Sequence, residues 1–268
     1  MRQIMSCIAL VFALMISAVQ AETFNVIGEE FAPFEFEQDG EVVGIDVDIA
    51  KHIFAKLGIT PKFSLYTWKR AWSLVESGEA DAIFTTSRKA KREPFVIYPK
   101  EDMWVSEFVF FVNTEKKQAD FNGYESAKAG NLKIGITPGN SYHDSLWAAF
   151  PYKDGSTEFK GDLGDNSAYN AQMSTAKGLL TNLKKLAAGR VDLVVVDKTV
   201  GQYTAKLNGL SDKITFYEKP LYGKGYPMPF VKNSKYPGIA DIAAKYEAEL
   251  KAMKASGEYQ KIMDKWLK

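Results

Sequence analysis

The segment DAIFTTSRKAKREPF, residues 81–95, places four basic residues within five positions, after a short apolar run and three hydroxyl residues. The basic residues are Arg88, Lys89, Lys91 and Arg92. Such a cluster is typical of an anion-binding site, and the anion can be nucleic acid, membrane phosphate, a protein carboxylate or a small ligand. An arginine can donate two parallel hydrogen bonds to one carboxylate, whereas a lysine acts as a point charge.

The charge balance of the whole chain excludes two of these anions. The 268 residues include 34 Lys and Arg and 33 Asp and Glu. Residues 1–21 carry one charged side chain, Arg2, so the remaining chain of about 247 residues is balanced. A net charge near zero argues against non-specific binding to nucleic acid or to an anionic membrane. The basic run is therefore a local feature.

The N-terminal segment MRQIMSCIALVFALMISAVQA is typical of a secretory signal peptide with a small-residue cleavage site. Its apolar run is shorter than the roughly 20 residues of a membrane span. Cys7 lies inside this run rather than at its end, which disfavours a lipid anchor. Cleavage after Ala21 removes the only cysteine, so we expect a periplasmic protein without disulfide or thiol chemistry.

The elements that must position the basic run alternate between strand and helix. We predict strands at TFNVIG, KFSLY and DAIFTT, and a loop with an Asp39-Gly40 turn after the first of them. Apolar residues repeat every fourth position from Ile45 to Leu57, which predicts a helix over 46–57. A second helix, TWKRAWSLVESG, has Thr67 as its expected N-cap and ends at Gly78. This order predicts a mostly parallel sheet covered by helices.

The same order restarts in the second half of the chain. LKIGITPG predicts a strand, NSYHDSLWAAF the start of a helix, STAKGLLTNLKKLAAG an amphipathic helix and RVDLVVVD a buried strand. Two C-terminal helices follow, IADIAAKYEAELKAMKASG and EYQKIMDKWLK. The predicted fold class is therefore α/β with two related units.

Catalytic signatures are missing from the sequence. The phosphate-binding, dinucleotide, metalloprotease and nucleophile-elbow motifs do not occur, and we expect no cofactor. Of the two histidines, His52 lies within a predicted helix, and His143 has Ser141 and Asp144 only as sequence neighbours. A catalytic triad needs partners brought together by the fold. Two separate histidines also offer little to a transition metal.

Recognition of a small ligand is the chemistry that remains. If a helix begins at Arg88, then Arg88 and Arg92 share one face of it, beside the carboxyl edge of the sheet where ligands of α/β folds bind. In the second unit Asn140 or Ser141 can cap a helix whose free N–H groups favour an anion. Asp197 closes a buried strand and can pair with an ammonium group. Together these groups describe a zwitterion, although a solvated turn and plain helix caps explain the same residues.

Aromatic residues near the same sheet edge offer flat walls for such a ligand. Phe31 follows the first strand and Trp68 begins a helix. Tyr142 and Trp104 are further candidates, whereas Trp72 shares the apolar helix face and is assigned to the core.

In four stretches the sequence resembles the periplasmic solute-binding proteins of polar amino acid uptake, the family 3 extracellular binding proteins. These are FAPFEFEQDGEVVGIDVDIAKHIFAKLG, the block from LVESGEADAI to TTSRKAKREPFVIYP, LKIGITPGNSY and LAAGRVDLVVVD. The resemblance implies a two-lobed periplasmic binding protein fold of type II, with a hinge and a ligand cleft between the lobes. It places lobe 1 at residues 22–112 and 222–268, and lobe 2 at residues 113–221.

The resemblance also implies roles for individual residues. Phe31 resembles the aromatic residue that stacks on the ligand, and Thr85, Thr86 and Ser87 fall where the amino group is held. Arg92 resembles the carboxylate-binding arginine, although Lys89-Ala90 replaces the family's Thr-Pro and leaves Arg88 as an alternative. Ser141 resembles an N–H donor and Asp197 the acid that meets the α-amino group. The ligand-binding residues that we expect are Phe31, Trp68, Thr85, Thr86, Ser87, Arg92, Asn140, Ser141, Tyr142 and Asp197.

The function that this resemblance implies is capture of a polar amino acid, or a similar small zwitterion, for an inner-membrane ABC permease. We expect a monomer that closes by a hinge motion and does not bind nucleic acid. Two alternatives stay open: presentation of the ligand to a membrane receptor, and dehydratase-like catalysis with Glu30 or Asp197 as the acid. The sequence does not identify the ligand.

Overall fold

Two β-sheets with covering helices organise the chain in the computed structural model, which describes residues 23–138, 140, 142–160 and 166–268. The described strands are β1 (Phe24–Gly28), β2 (Phe36–Gln38), β3 (Glu41–Val43), β4 (Pro61–Leu65), β5 (Ala82–Ile83), β6 (Val96–Ile97), β7 (Trp104–Asn113), β8 (Ile134–Ile136), β9 (Met173–Thr175), β10 (Leu193–Asp197), β11 (Ile214–Phe216), β12 (Tyr222–Tyr226) and β13 (Phe230–Val231). The described α-helices are α1 (Ile45–Lys56), α2 (Trp68–Ser77), α3 (Gly123–Ala129), α4 (Asp144–Ala149), α5 (Leu179–Ala187), α6 (Lys198–Leu207), α7 (Ile239–Ser256) and α8 (Glu258–Leu267).

The first sheet has the strand order β4-β1-β5-β13-β6. β1 is parallel to β4 and β5, while β13 is antiparallel to β5 and β6. Helices α1 and α7 cover one face, where Phe24, Phe54 and Tyr246 are fully buried. The other face carries α2 through Ala71, Leu74 and Val75.

The second sheet has the order β11-β7-β10-β8-β9, with β12 also paired to β7. β8 is parallel to β9 and β10, whereas β7 runs antiparallel to β10, β11 and β12. Each sheet is thus parallel over three adjacent strands that reach one edge, β4-β1-β5 in the first and β10-β8-β9 in the second, and the strand next to them, which enters from the other half of the molecule, runs antiparallel. The prediction of two mostly parallel sheets is corrected in this respect, and the two-unit α/β fold is confirmed.

The chain passes between the sheets twice, after β6 and after β12. The strands next to these crossings, β7 and β12, pair with each other, residues 104–108 of β7 with residues 222–226 of β12. We call this pair of strands the connecting ribbon. The position of the lobe boundaries stays a prediction, and the expected signal peptide, residues 1–21, lies outside the described residues.

Several local predictions can be compared with the structure. Thr67 and Gly78 bound α2 as expected, although the Thr67 side chain makes no cap hydrogen bond. The Asp39-Gly40 turn joins a two-stranded hairpin, β2–β3, because both residues have the positive φ angles that such tight turns require. The amphipathic helix predicted from Ser174 begins only at Leu179, since Met173–Thr175 pairs with β8 as a strand.

Gly44 lets the loop before β2 lie on the start of α1. Its φ is +134°, and an added Cβ would lie 2.2 Å from the carbonyl oxygen of Phe34. The amides of Ile45 and Asp46 donate to the carbonyls of Pro33 and Phe34, both at 2.9 Å. This loop, which carries Phe31 and Glu35, is therefore held against the N-terminus of the helix.

None of the helices in the described parts of the chain combines the length and apolar character that a membrane span requires. Within the same residues, no group of three His, Cys, Asp or Glu side chains is arranged to hold a metal ion.

Candidate ligand-binding site

Phe31 lies at the edge of an aromatic stack that runs between the two sheets. Its ring, 40% exposed, is stacked on Phe34 at 5.6 Å and on Trp104 at 6.5 Å between centroids. Phe34 and Trp104 are 3.6 Å apart, and Trp104 stacks on Tyr226 at 4.5 Å. One face of Phe31 is thus supported by a rigid aromatic column while much of the ring remains accessible to a ligand.

Thr85, Thr86 and Ser87 follow β5, which ends early because Thr85 has a φ of +46°. A β-branched residue in this left-handed region is strained, and such strain is characteristic of functional sites. The Thr85 hydroxyl donates to Glu35 Oε1 at 2.5 Å, and the Thr86 hydroxyl donates to the Phe84 carbonyl at 2.9 Å. Their side chains are therefore used within the protein, and their backbone groups are the better candidates for ligand contacts.

Arg92 is buried and oriented by its neighbours. Its Nη1 donates to the Ser87 carbonyl at 3.0 Å and to Ser87 Oγ at 3.4 Å. The guanidinium lies over the rings of Trp68 and Trp72, 5.1 and 5.0 Å from their centroids. The Tyr98 hydroxyl also lies beside the guanidinium, and these contacts occupy only part of its five N–H donors. The group therefore has donors left in a fixed plane, the arrangement that a carboxylate ligand needs.

Arg88 has a different environment. It forms a salt bridge with Asp102, and its Nη2 donates to the carbonyls of Pro99 and Lys100 at 2.7 and 2.9 Å. The expected helix from Arg88 is absent, since only a single 3₁₀ turn, Ala90–Arg92, forms here. The prediction that Arg88 and Arg92 share a helix face is therefore wrong, and the two guanidinium groups point to different partners.

Trp68 and Trp72 both belong to the Arg92 environment. Both are half-buried at the edge of the first core, and their rings are 6.2 Å apart. The backbone N–H of Trp68 donates to Glu29 Oε1 at 3.0 Å, so a carboxylate from the Phe31 loop caps α2. Trp72 therefore contacts the Arg92 guanidinium in addition to packing against the core, to which the sequence analysis assigned it.

A cavity of about 190 Å³ lies on the second-sheet side. Four predicted site residues line it: Phe31, Asn140, Tyr142 and Asp197. Phe31 enters from the first sheet, so the cavity opens between the two halves of the molecule. Trp68, Thr85, Thr86, Ser87 and Arg92 form a separate group on the first half and do not line it. Ser141 lies outside the described residues.

The segment before α4 differs from the predicted helix cap. α4 begins at Asp144, and His143 is its N-cap, accepting from the Ser145 amide at Nδ1. Asn140 lies four residues before Asp144, and its backbone carbonyl accepts a hydrogen bond from the Tyr142 amide at 3.0 Å. The prediction that Asn140 caps this helix is thus wrong. Tyr142 is buried, and its hydroxyl accepts from the Thr137 amide at 2.8 Å.

Asp197 caps the N-terminus of α6 and also lines the cavity. Its Oδ1 accepts from the Val200 amide at 2.9 Å, and its Oδ2 accepts from the Ser106 hydroxyl at 2.8 Å. Burial raises the pKa of this carboxyl, and these hydrogen bonds partly offset the rise. Asp197 can still meet an ammonium group, because each carboxylate oxygen can accept more than one hydrogen bond. Glu30, the other acid proposed for catalysis, is exposed.

A buried carboxyl pair supports the Phe31 loop. Glu35 and Asp46 are both inaccessible to solvent, and each has one oxygen without a partner in the described residues, Glu35 Oε2 and Asp46 Oδ1. Asp46 Oδ2 accepts from Trp104 Nε1 at 3.2 Å. Burial raises the pKa of Asp46 to about 7. Burial and the Asp46 charge raise the pKa of Glu35 well above its ordinary value.

Tyr226 of the connecting ribbon is influenced electrostatically by both groups of predicted residues. Burial raises the pKa of Tyr226 on β12, the negative charge of Asp197 raises it further, and the positive charge of Arg92 lowers it. Tyr226 is therefore close enough to feel both the second-half carboxylate and the first-half guanidinium. A guanidinium from the first half and a carboxyl group from the second thus both act on this aromatic residue of the ribbon.

Comparison with known proteins agrees with this arrangement. Residues 25–268 match the model of the bacterial extracellular solute-binding proteins, family 3. The chain belongs to this family. It is 24% identical over 264 residues to the arginine-binding periplasmic protein of Mannheimia haemolytica, covering 97% of each chain. It is 22% identical to a probable histidine-binding protein of Campylobacter jejuni subsp. jejuni serotype O:2, covering 88% of this chain and 81% of that protein.

The fold of this solute-binding protein also matches solved structures. The second substrate-binding domain of Lactococcus lactis GlnP, in an open conformation, superposes with a TM-score of 0.71. The two sequences are 22% identical, and the match covers 92% of this chain and 96% of that domain. The type II fold expected from the sequence is thereby confirmed.

Sequence reasoning missed four residues that surround the predicted site: the buried carboxyls Glu35 and Asp46, Ser106, which donates to Asp197, and Lys224, which pairs with Ser106 on the connecting ribbon. The sequence does not predict the burial of Glu35 and Asp46, because a carboxylate in a loop or at a helix start ordinarily faces water. A signal for Lys224 exists in YGKGY, where Tyr, Lys and Tyr alternate with glycine and must share one face of a strand.

Proposed function

We propose that this member of the family is a periplasmic binding protein that captures a polar amino acid, or a similar small zwitterion, between its two lobes. The ligand-loaded form is delivered to an inner-membrane ABC permease, and closure is a hinge motion at the connecting ribbon. Residues 1–21 direct export and are removed.

Arg92 is the observation that carries this proposal. A buried guanidinium without a carboxylate partner among the described residues is costly unless a ligand supplies the negative charge. Arg92 has its plane held by Trp68 and Trp72 and keeps free donors. We assign it to the α-carboxylate, and we assign Asp197 to the α-ammonium group.

The remaining predicted residues have supporting roles in this proposal. Phe31 is the exposed end of an aromatic stack and covers the ligand from the first half. Asn140 and Tyr142 form the opposite wall, and Ser141 keeps the role of N–H donor that the family resemblance implies. The backbone of Thr85, Thr86 and Ser87 adds hydrogen bonds next to Arg92. The arginine- and histidine-binding relatives support an amino acid as the class of ligand.

The proposal is tested with protein purified from the periplasm. Intact mass should correspond to a chain beginning at Glu22, and thermal unfolding should be measured with each common amino acid. A ligand at about 100 times its Kd stabilises the folded state by about 2.7 kcal/mol, which raises the melting temperature by about 5–10 °C. No shift with any amino acid would refute the ligand class.

Delivery to a permease needs a separate measurement. Ligand-loaded protein should capture an ABC permease from detergent-solubilised inner membranes, whereas Arg92→Ala protein should not. Capture of a membrane sensor in its place would reject transport as the function and leave the ligand assignment intact.

A further inference from the structure

One face of the connecting ribbon carries three side chains of β12 in a row. The antiparallel register places Tyr222 opposite Phe108, Lys224 opposite Ser106 and Tyr226 opposite Trp104. Directly paired residues of an antiparallel ladder point to the same side of the sheet. Tyr222 and Phe108 are stacked at 4.6 Å, and Tyr226 and Trp104 at 4.5 Å. Lys224 therefore stands between two aromatic pairs on the floor of the cleft.

The ammonium group of Lys224 is directed toward the first half of the molecule. Its Nζ lies over the Tyr226 ring, 5.4 Å from the centroid. It forms no salt bridge with any described residue. Burial lowers the pKa of Lys224, and the positive charges of Lys89 and Arg92 lower it further. The positive charges of Lys89 and Arg92 thus act on Lys224, an exposed residue that makes no salt bridge with a described carboxylate.

This concentration of positive charge contrasts with the neighbouring basic residue. Arg88 is neutralised by Asp102, whereas Lys89, Arg92 and Lys224 have no salt bridge among the described residues. The side chains of Lys89 and Lys224 are exposed and that of Arg92 is buried, and like charges that act on one another across a cleft repel. One ligand carboxylate on Arg92 leaves that repulsion incompletely balanced, so the cleft favours a ligand with a second anionic group.

The carboxyl groups that are buried beside the cleft offer little to a cationic side chain. Glu35 and Asp46 are fully buried, and burial keeps their pKa values raised. Asp197 already accepts from Ser106 and Val200, and its remaining capacity is needed by an α-ammonium group. The buried part of the cleft therefore differs in charge from what a protein that binds arginine requires, and the carboxylates of Glu29 and Glu30 lie at the exposed end of the Phe31 loop.

We propose that Lys224 is a specificity-determining residue that binds an acidic group on the ligand's side chain, so the ligand is an amino acid with an acidic side chain. This inference rests on the proposed function, because it uses the assignment of Arg92 to the α-carboxylate. Selectivity arises since a neutral or cationic side chain leaves Lys224 without a partner.

The test measures calorimetric affinities of the exported chain for L-glutamate, L-aspartate, L-glutamine and L-arginine. Wild-type protein should bind one of the two acidic amino acids at least about 10-fold more tightly than glutamine, which is isosteric with glutamate. Lys224→Met should remove that preference by weakening binding of the acid while leaving glutamine within about 3-fold. Lys224→Arg should retain the preference. Lys213→Met, at an exposed lysine outside the cleft, is the charge-matched control.

The outcomes separate this inference from the function on which it rests. Tighter binding of arginine or glutamine than of either acid by the wild type overturns the role of Lys224 and leaves an amino acid-binding protein. Equal weakening of glutamate and glutamine in Lys224→Met also overturns it, because that result indicates a structural role. Failure of every amino acid to bind overturns both proposals.

Discussion

Arg88 and Arg92 show how neighbouring residues of one type acquire different roles. The Arg88 guanidinium forms a salt bridge with Asp102 and donates to two carbonyl groups. The Arg92 guanidinium instead lies over two tryptophan rings and forms no salt bridge with a described residue. The sequence alone left both arginines as candidates, because Asp102 is 14 positions from Arg88 and its side chain gives no local signal. The difference lies in tertiary contacts.

Exchange of each arginine for lysine tests this distinction at constant charge. Arg92→Lys loses the forked donors, so amino acid binding should weaken about 10- to 100-fold, equivalent to one charge-assisted hydrogen bond of 1.5–3 kcal/mol. Arg88→Lys, the matched control, should change affinity by less than about 3-fold. The measurement is isothermal titration calorimetry with the best amino acid of the thermal panel, after circular dichroism has shown both variants folded. The reverse order of effects would reassign the carboxylate to Arg88.

At the scale of elements, the loop that carries Phe31 depends on the start of α1. The loop carbonyls bind the first amides of the helix, and Glu35 from the loop lies buried near Asp46 from the helix. Because two ionised carboxylates buried together repel each other, the junction is most stable when at least one is protonated. The stability of this junction should therefore depend on pH.

The sign of this dependence follows from the raised pKa of Asp46. The folded-state pKa is about 7, against about 3.9 in an unfolded chain. Between these values the folded state binds more protons, so the unfolding free energy falls as pH rises, by at most about 1.4 kcal/mol per pH unit for one proton. The loss is complete above about pH 7 and absent below about pH 4.

Asp46→Asn removes the titration and keeps an acceptor for Trp104. Its stability relative to wild type should therefore increase between pH 5 and pH 7.5 in urea titrations. Glu41→Gln, at an exposed carboxylate of the β2–β3 hairpin, is the control and should show no such trend. A constant difference between Asp46→Asn and wild type over this range would contradict the buried, protonated pair.

Much of the element order could be read from sequence because local signals were strong. The period of four from Ile45 and the Gly78 end of α2 correspond to observed helices, and LVVVD corresponds to the buried strand β10. Predictions failed where a long-range contact overrides propensity. Ser174 pairs with Gly135 in a parallel strand and leaves the helix pattern, and β5 stops before Thr85, whose φ is positive and whose hydroxyl donates to Glu35.

On the scale of the whole molecule, the cleft is formed by residues far apart in sequence. Phe31 and Asp197 line one cavity, Arg92 belongs to the group on the first half, and Lys224 belongs to the connecting ribbon. The sequence could indicate the first three by type and by resemblance. It could not place Lys224 near them, because Lys89 and Arg92, whose positive charges act on Lys224, are about 130 positions away in sequence.

A ligand that contacts both halves must favour the conformation in which they are close together, because binding shifts a conformational equilibrium only through differential contacts. Arg92 and Phe31 belong to the first half, whereas Asn140 and Asp197 belong to the second. An amino acid held by both groups should therefore bring the start of α2 nearer to the start of α5. The first residue of α5, Leu179, lines the cavity, and both helix starts carry exposed residues suitable for labels. Since Cys7 is the only cysteine, the exported chain provides a background for labels at introduced cysteines.

Spin labels at Lys69→Cys and Thr181→Cys should thus move closer by more than about 2 Å when the amino acid binds, measured as an electron–electron dipolar distance. A pair within the first half, Lys69→Cys and Lys251→Cys, should keep its distance, since both sites lie on helices packed against one sheet. The Arg92→Lys change in the labelled protein should move the closing transition to about 10- to 100-fold higher ligand concentration. An unchanged distance at saturation would show that the ligand binds to one half alone, and hinge closure would then be rejected.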